Sequence, residues 1–214
     1  MLHFHVITLF PESIEPYVTS SMLGRAQNDK KIKVSFYNPR DYTKDKHKRV
    51  DRRPYGGGPG MVMEAESVLR AAEAAIGKKK DIEVLFFSPS GKQFDVAMTK
   101  KFSKKKHVVM IAGHYEGVDA RVKKILKAKS ITVGPYVLTG GELPAAIIVD
   151  AVSRYVPGVL GCEESREDER VASPDVYTRP EVLQWKGKGY KVPKVLLTGH
   201  HRNIEEWKNK QRKA

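Results

Sequence analysis

Three apolar runs in the chain each end in a string of small and turn-forming residues. Residues 82–87 run into Ser88-Pro89-Ser90-Gly91, and residues 107–112 into Gly113-His114-Tyr115-Glu116-Gly117. Residues 130–133 run into Gly134-Pro135-Tyr136 and on to Leu138-Thr139-Gly140-Gly141. Glycine lets main chain come close to a bound molecule. In open α/β sheets ligands sit beyond the carboxyl ends of the strands. The three strings are therefore expected to converge on one small-molecule pocket.

A second chemical pattern is the acidic run Glu167-Asp168-Glu169. Such a run is ordinarily a solvated loop, but a carboxylate on a segment beside a pocket can also close over a substrate and accept a proton. Gly56-Gly57-Gly58-Pro59-Gly60-Met61 lacks the Gly-Lys-Ser/Thr of a Walker A loop and the glycine spacing of a dinucleotide fingerprint, so a tight turn explains it equally well. His3 and His5 fall in a strand and His200 and His201 in a basic tail, without a carboxylate at ligand spacing, and no metal site is expected. Cys162 is the only cysteine and has no basic neighbour to lower its pKa, which argues against a nucleophile.

The elements that must position these groups follow from local pattern. Residues 3–10, 32–37, 82–87, 107–112 and 130–133 read as strands, being rich in β-branched and aromatic residues or alternating apolar with polar. Helices are expected over 17–26, 64–76 and from Glu142 through Val149. Residues 38–60 contain three prolines and four glycines and read as one long loop, a length that is usually functional or disordered. Strands alternating with helices predict an α/β fold with a mainly parallel sheet. Residues 161–176 are charged and poor in large apolar groups, so a flexible linker is expected there. It separates a main domain, 1–160, from a small basic piece, 177–214, too short to support much core alone.

With 214 residues, 40% apolar and 30% charged, the chain is long enough to bury a substantial core and is neither disordered nor fibrous. No apolar run approaches the ~18 residues of a membrane span. Met1-Leu2-His3-Phe4-His5 does not open a signal peptide, and a single cysteine suits a reducing compartment, so a cytoplasmic protein is expected. The net charge is +14, and it is localised. Residues 30–53 hold ten Lys/Arg against three Asp, and residues 184–214 nine against two Glu. Two basic blocks beside a near-neutral body suit a polyanion, although a solvated lysine-rich surface has the same composition. Tyr37, Tyr42, Trp185, Tyr190 and Trp207 lie in these blocks, where aromatic rings can stack on bases.

Taken in order, the strings resemble one family, the bacterial tRNA (guanine-N1)-methyltransferases, members of the knotted SPOUT methyltransferases. The resemblance covers nearly the whole chain. It starts at Thr8-Leu9-Phe10-Pro11-Glu12 and passes through Pro39-Arg40-Asp41 to Arg53-Pro54-Tyr55-Gly56-Gly57-Gly58-Pro59-Gly60-Met61. It continues through Tyr115-Glu116-Gly117, Tyr136-Val137-Leu138-Thr139-Gly140-Gly141-Glu142-Leu143 and Pro157-Gly158-Val159-Leu160-Gly161 to Tyr177-Thr178-Arg179-Pro180. The chain departs from the family at His114, usually arginine, at Pro135, usually aspartate, and at His200, usually asparagine. The family's helical region beyond the residue matching Trp207 is short here.

The resemblance implies methyl transfer from S-adenosylmethionine to N1 of the guanine just 3′ of the tRNA anticodon. It implies a deep trefoil knot in the parallel sheet, a small helical C-terminal tRNA-binding domain and a homodimer with a shared active site. It leaves a magnesium ion during catalysis open. The cofactor would meet Phe86, Phe87, Ser88, Pro89 and Gly91 on the first loop, and Gly113, Tyr115, Glu116 and Gly117 on the second. On the third it would meet Val133, Gly134, Tyr136, Leu138, Gly140 and Gly141, with Pro144 beyond. The catalytic arginine matches Arg154. The catalytic aspartate aligns with Asp168 if the linker carries a one-residue deletion, and with Glu169 if it does not. RNA contacts are expected at Lys44, Lys46, His47, Lys48, Arg49 and Asp51, and at Ser165, Arg179 and His201. A non-catalytic RNA-binding protein and a methyltransferase for another RNA base are the alternatives, which S-adenosylmethionine binding and product identification would separate.

Overall fold

A computed structural model describes residues 1–160 and 175–212. Asp168, Glu169, Ser165 and most of the expected linker lie outside the described residues. The chain divides into two compact units, 1–160 and 161–214.

The first unit opens with β1 (Leu2–Ile7). The helix expected next is broken into α1 (Glu15–Val18) and α2 (Ser21–Asn28). Ser20 is extended between them and Ser21 has φ +47°. The hydroxyls of Thr19 and Ser20 donate to the carbonyls of Glu15 and Tyr17, terminating the first turn by the side-chain competition that these residues offer. β2 (Ile32–Tyr37) follows.

The long loop holds more structure than its composition predicts. A 3₁₀ turn spans Pro39–Asp41, and β3 (Asp51–Arg52) pairs antiparallel with β4 (Val62–Met63). The turn joining them carries Gly56, Gly57, Gly58 and Gly60 at φ between +78° and +115°, a region that side-chain-bearing residues avoid.

Next come α3 (Ala65–Ile76), β5 (Ile82–Gln93), α4 (Val96–Ser103), β6 (His107–Ile111), α5 (Ala120–Ile125), β7 (Lys129–Thr132) and α6 (Glu142–Ser153). Asp95 starts α4, its carboxylate accepting from the Met98 amide at 2.7 Å, and Asp119 starts α5 in the same manner.

All five long strands are parallel, in the order β2-β1-β6-β5-β7. The expectation of a mainly parallel α/β sheet is met. Alternate residues of each strand serve two separate cores. Phe4, Val6, Val108 and Met110 pack with Ala145, Ile148, Val149 and Val152 of α6. Ile7, Val109 and Ile111 pack with Val68, Ala71, Ala72 and Val122 of α3 and α5. Burial on both faces explains why β6 reads as an unbroken apolar run.

His3 and His5 sit on the second face at the amino end of β1, and the register brings His107 beside them. Burial, helped by Lys33 and the neighbouring imidazoles, lowers His3 to about 4 and His5 to about 3. The unfolded chain therefore binds more protons than the folded one between pH 6.5 and these values. Stability from this pair is complete above pH 6.5 and is lost as pH falls toward 3. In chelator-containing buffer the thermal midpoint should drop over that window. His3→Asn should make the drop shallower, and an equal slope in the variant would remove that ring from the acid limb.

The second unit was expected to be helical. Its described part combines a β-hairpin, β8 (Val182–Trp185) and β9 (Lys188–Lys191), with a 3₁₀ turn at Lys194–Leu197 and α7 (His201–Arg212). Lys186 and Gly187 both have positive φ, as a two-residue primed turn demands. Among the described residues no helix is long and apolar enough to cross a membrane.

Candidate active site

The site is built where β5, β6 and β7 end. Along β5 the pairing with β7 skips: Phe87 and Lys92 both face Ile131, so residues 88–91 loop out of the ladder. A Cβ on Gly91 would lie 2.5 Å from main-chain atoms of Ile131, so only glycine lets the returning strand sit so close.

Beyond β6, residues 113–118 turn against the segment after the glycine loop. The amides of Glu116 and Met63 donate to the carbonyls of Met61 and Gly117 at 3.0 and 2.9 Å. Beyond β7, the chain returns so that the Gly141 amide donates to the Gly113 carbonyl at 2.9 Å, and α6 begins at that point.

Together these three loops enclose a pocket of about 400 Å³, within the size range of small-molecule sites. Aromatic side chains of Phe86, Phe87, Tyr115 and Tyr136 line it, together with main chain of Gly113, Gly117, Gly140 and Gly141. Ser88, Pro89, Glu116, Val133, Leu138 and Pro144 complete the expected lining. Gly91 and Gly134 do not reach the pocket; Gly91 serves strand packing, and Gly134 lies against the Tyr136 ring.

Sequence reasoning missed several lining residues, of which His114 is the most chemical. Glu142 is buried at the start of α6, where its carboxylate accepts from the Thr8 hydroxyl at 2.7 Å. Nδ1 of His114 lies 3.4 Å from the other Glu142 oxygen, too poorly aligned for a hydrogen bond, and is buried without a better partner. A buried polar atom left over beside a cavity is a group that a ligand can satisfy. The departure of His114 from the family's arginine was the signal that could have drawn attention to it.

Of the expected RNA-binding residues, Lys44, Lys46, His47, Lys48 and Arg49 lie between the 3₁₀ turn and β3, and Asp51 is the first residue of β3. Three of these cations already have acidic partners: Lys44 with Glu66, Lys48 with Asp41 and Arg49 with Asp45. The Arg49 guanidinium and amide hold Asp45 down to about 2. The Lys44 and Lys48 pairs are exposed, and such pairs add little stability, so those two cations remain available to a phosphate, whereas Arg49 is tied to the half-buried Asp45. Arg40 ties this loop to the pocket, donating to the Tyr115 hydroxyl and to the Lys48 carbonyl at 3.4 and 3.3 Å. Arg154 follows α6, its amide donating to the Asp150 carbonyl at 3.3 Å. Arg179 and His201 are exposed in the second unit.

The fold and site define a class: α/β proteins with a pocket of small-molecule size among loops at the carboxyl edge of a parallel sheet. Within it, the chain belongs to the tRNA (Guanine-1)-methyltransferase TrmD family, whose sequence model matches residues 2–214. It is 45% identical over 215 residues to a tRNA (guanine-N(1)-)-methyltransferase of Ruminiclostridium cellulolyticum, covering 98% of this chain and 91% of the relative. A protein of the same name from Dictyoglomus turgidum is 44% identical, with 99% and 85% covered. Another, from Pseudoalteromonas atlantica, is 45% identical, with 97% and 79% covered.

Proposed function

We propose that this chain transfers a methyl group from S-adenosylmethionine to N1 of the guanine on the 3′ side of the tRNA anticodon. The pocket of main-chain loops, in a chain of this family, is the observation that carries the reading. The pocket is lined by aromatic rings and by main chain of Gly113, Gly117, Gly140 and Gly141, and His114 offers an unsatisfied nitrogen, so the residues present fit a polar, ring-bearing cofactor. When bound, it supplies an electrophilic methyl group on a positively charged sulfur. The aromatic side chains give flat surfaces for its base, and the loop amides and carbonyls give its hydrogen bonds. The return of the chain from β7 to Gly113 is the stretch in which the family's trefoil knot belongs.

Guanine N1 carries a proton at neutral pH and attacks poorly until that proton leaves. A linker carboxylate, Asp168 in our alignment or Glu169, is the proposed acceptor, and Arg154 is proposed to stabilise the charge that moves onto O6. The base must be turned out of its stack to be reached. A homodimer is proposed because α6 is apolar nearly all round, yet Leu143 and Ile147 are 58% and 42% exposed in a single chain. A helix of that kind is normally covered.

The test is purified protein, labelled methyl donor and a tRNA transcript, with the modified nucleoside identified and magnesium present or omitted. 1-Methylguanosine beside the anticodon is expected; a different methylated base, or no transfer, overturns the reading. Electrostatic docking of tRNA makes a separate prediction. Reversing Lys44, Lys46, Lys48 and Arg49 together should weaken tRNA binding at least 10-fold and flatten its salt dependence, since each neutralised phosphate releases counterions. S-adenosylmethionine affinity should hold; an equal fall would make the segment structural.

A further inference from the structure

We propose that His3, His5 and His107 form a binding site for a divalent transition-metal ion, Zn²⁺ before others, at the amino edge of the sheet. Each ring offers one nitrogen, and the three nitrogens lie within 4.8 Å of one another. Two of them are already at ligand spacing. Nε2 of His5 and Nδ1 of His107 are 3.2 Å apart, sharing a hydrogen bond whose proton a metal ion would displace, and two nitrogens bound tetrahedrally at about 2.0–2.1 Å from zinc stand about 3.4 Å apart. The third ring, His3, stacks on His5 with centroids 3.8 Å apart, and rotation of its side chain would turn a nitrogen toward the same point.

Neighbouring hydroxyls orient the rings. The Tyr37 hydroxyl lies 3.0 Å from Nδ1 of His5 and the Ser35 hydroxyl 2.9 Å from Nε2 of His3. When the ring N–H donates to the hydroxyl oxygen, the other ring nitrogen keeps its lone pair for the metal. Both strands are central in the sheet, so the ligands sit on a rigid platform. Among the described residues, no other group of three His, Cys, Asp or Glu is placed this way.

Three neutral imidazoles suit Zn²⁺, Ni²⁺ and Cu²⁺ and not Mg²⁺ or Ca²⁺, which take oxygen ligands. Lys33, Lys79 and Lys106 lie near enough to depress the rings, and Asp81 opposes them at His107. Those lysines also repel a dication, so affinity in the micromolar range is expected. The site is distinct from the pocket. From His107 to Ile111, β6 advances about 13 Å at ~3.3 Å per residue, and the pocket loops lie beyond that end.

The experiment is titration of chelator-stripped full-length protein with Zn²⁺, followed by calorimetry and by imidazole ¹⁵N spectra. One Zn²⁺ per chain is expected, with shifts in three histidine rings. His3→Asn and His107→Asn should each weaken binding at least 10-fold. These two are half-buried, whereas His5 is fully buried and its loss endangers folding. The ring spectra of the unaltered protein test the site without any variant. With Co²⁺ as a probe, a nitrogen-only visible spectrum is expected. A thiolate charge-transfer band would place the ion on Cys162 and overturn the proposal. Unmoved rings, or binding undiminished in both variants, would overturn it equally.

Discussion

Gly141→Val is expected to abolish binding of S-adenosylmethionine, with affinity falling at least 100-fold by calorimetry. A Cβ at this position would lie 2.5 Å from the Ala112 Cα and 3.0 Å from its carbonyl carbon. These are main-chain atoms at the end of a central strand, and Ala112 is buried, so they have nowhere to retreat. The contact can be relieved only by parting the start of α6 from β6. That breaks the hydrogen bond from the Gly141 amide to the Gly113 carbonyl and opens the pocket between its second and third loops. Overpacking by even one methylene typically costs about 1–3 kcal/mol, so loss of fold could mimic loss of binding. Gly140→Val separates the two. Its Cβ would meet the Glu142 carboxylate and the His114 ring, side-chain atoms that can yield, so the fold should survive while the pocket wall moves. A folded Gly140→Val protein with unchanged cofactor affinity would sink the proposed pocket.

Asp168→Asn is expected to slow single-turnover methylation by roughly 100-fold or more while tRNA and cofactor still bind, because the amide keeps size and hydrogen bonding but cannot take the N1 proton. Arg154→Ala should also slow the chemical step, by removing a charge-assisted donor. Glu169→Gln decides the alignment. If it is inactive and Asp168→Asn is active, the base is Glu169 and the linker carries no deletion. Wild-type rates in both variants, measured where chemistry limits turnover, would end the linker-carboxylate mechanism.

The sheet was legible because its strands are buried on both faces, which leaves runs such as residues 107–111 with no polar residue after the first. The three pocket loops were legible for the same reason, since each run stops abruptly at Gly, Pro or Ser. Residues 182–191 were not, because a hairpin of Gln184, Lys188, Tyr190 and Lys191 is largely exposed and carries no apolar alternation. α4 and α5 were hidden by their lysines, although Asp95 and Asp119 are ordinary helix-starting residues. The break at Ser20 depends on side-chain bonds that a helical periodicity does not register. The histidine cluster was invisible for a topological reason. His3 and His107 are brought together by the pairing of β1 with β6, and strand order is not written in local pattern. His114 was in view, but its meaning depends on the buried Glu142, which the fold places beside it.

The main-chain construction of the pocket bears on how the protein can change under selection. At Gly113, Gly140 and Gly141 even a methyl group would collide with a neighbour at under 3 Å. An inhibitor pressed against those glycines would therefore face surfaces that point substitutions cannot remodel without also disturbing the pocket. Escape would have to come from its side-chain walls, such as Phe86, Phe87, Tyr115, Tyr136 and His114, or from positions outside it.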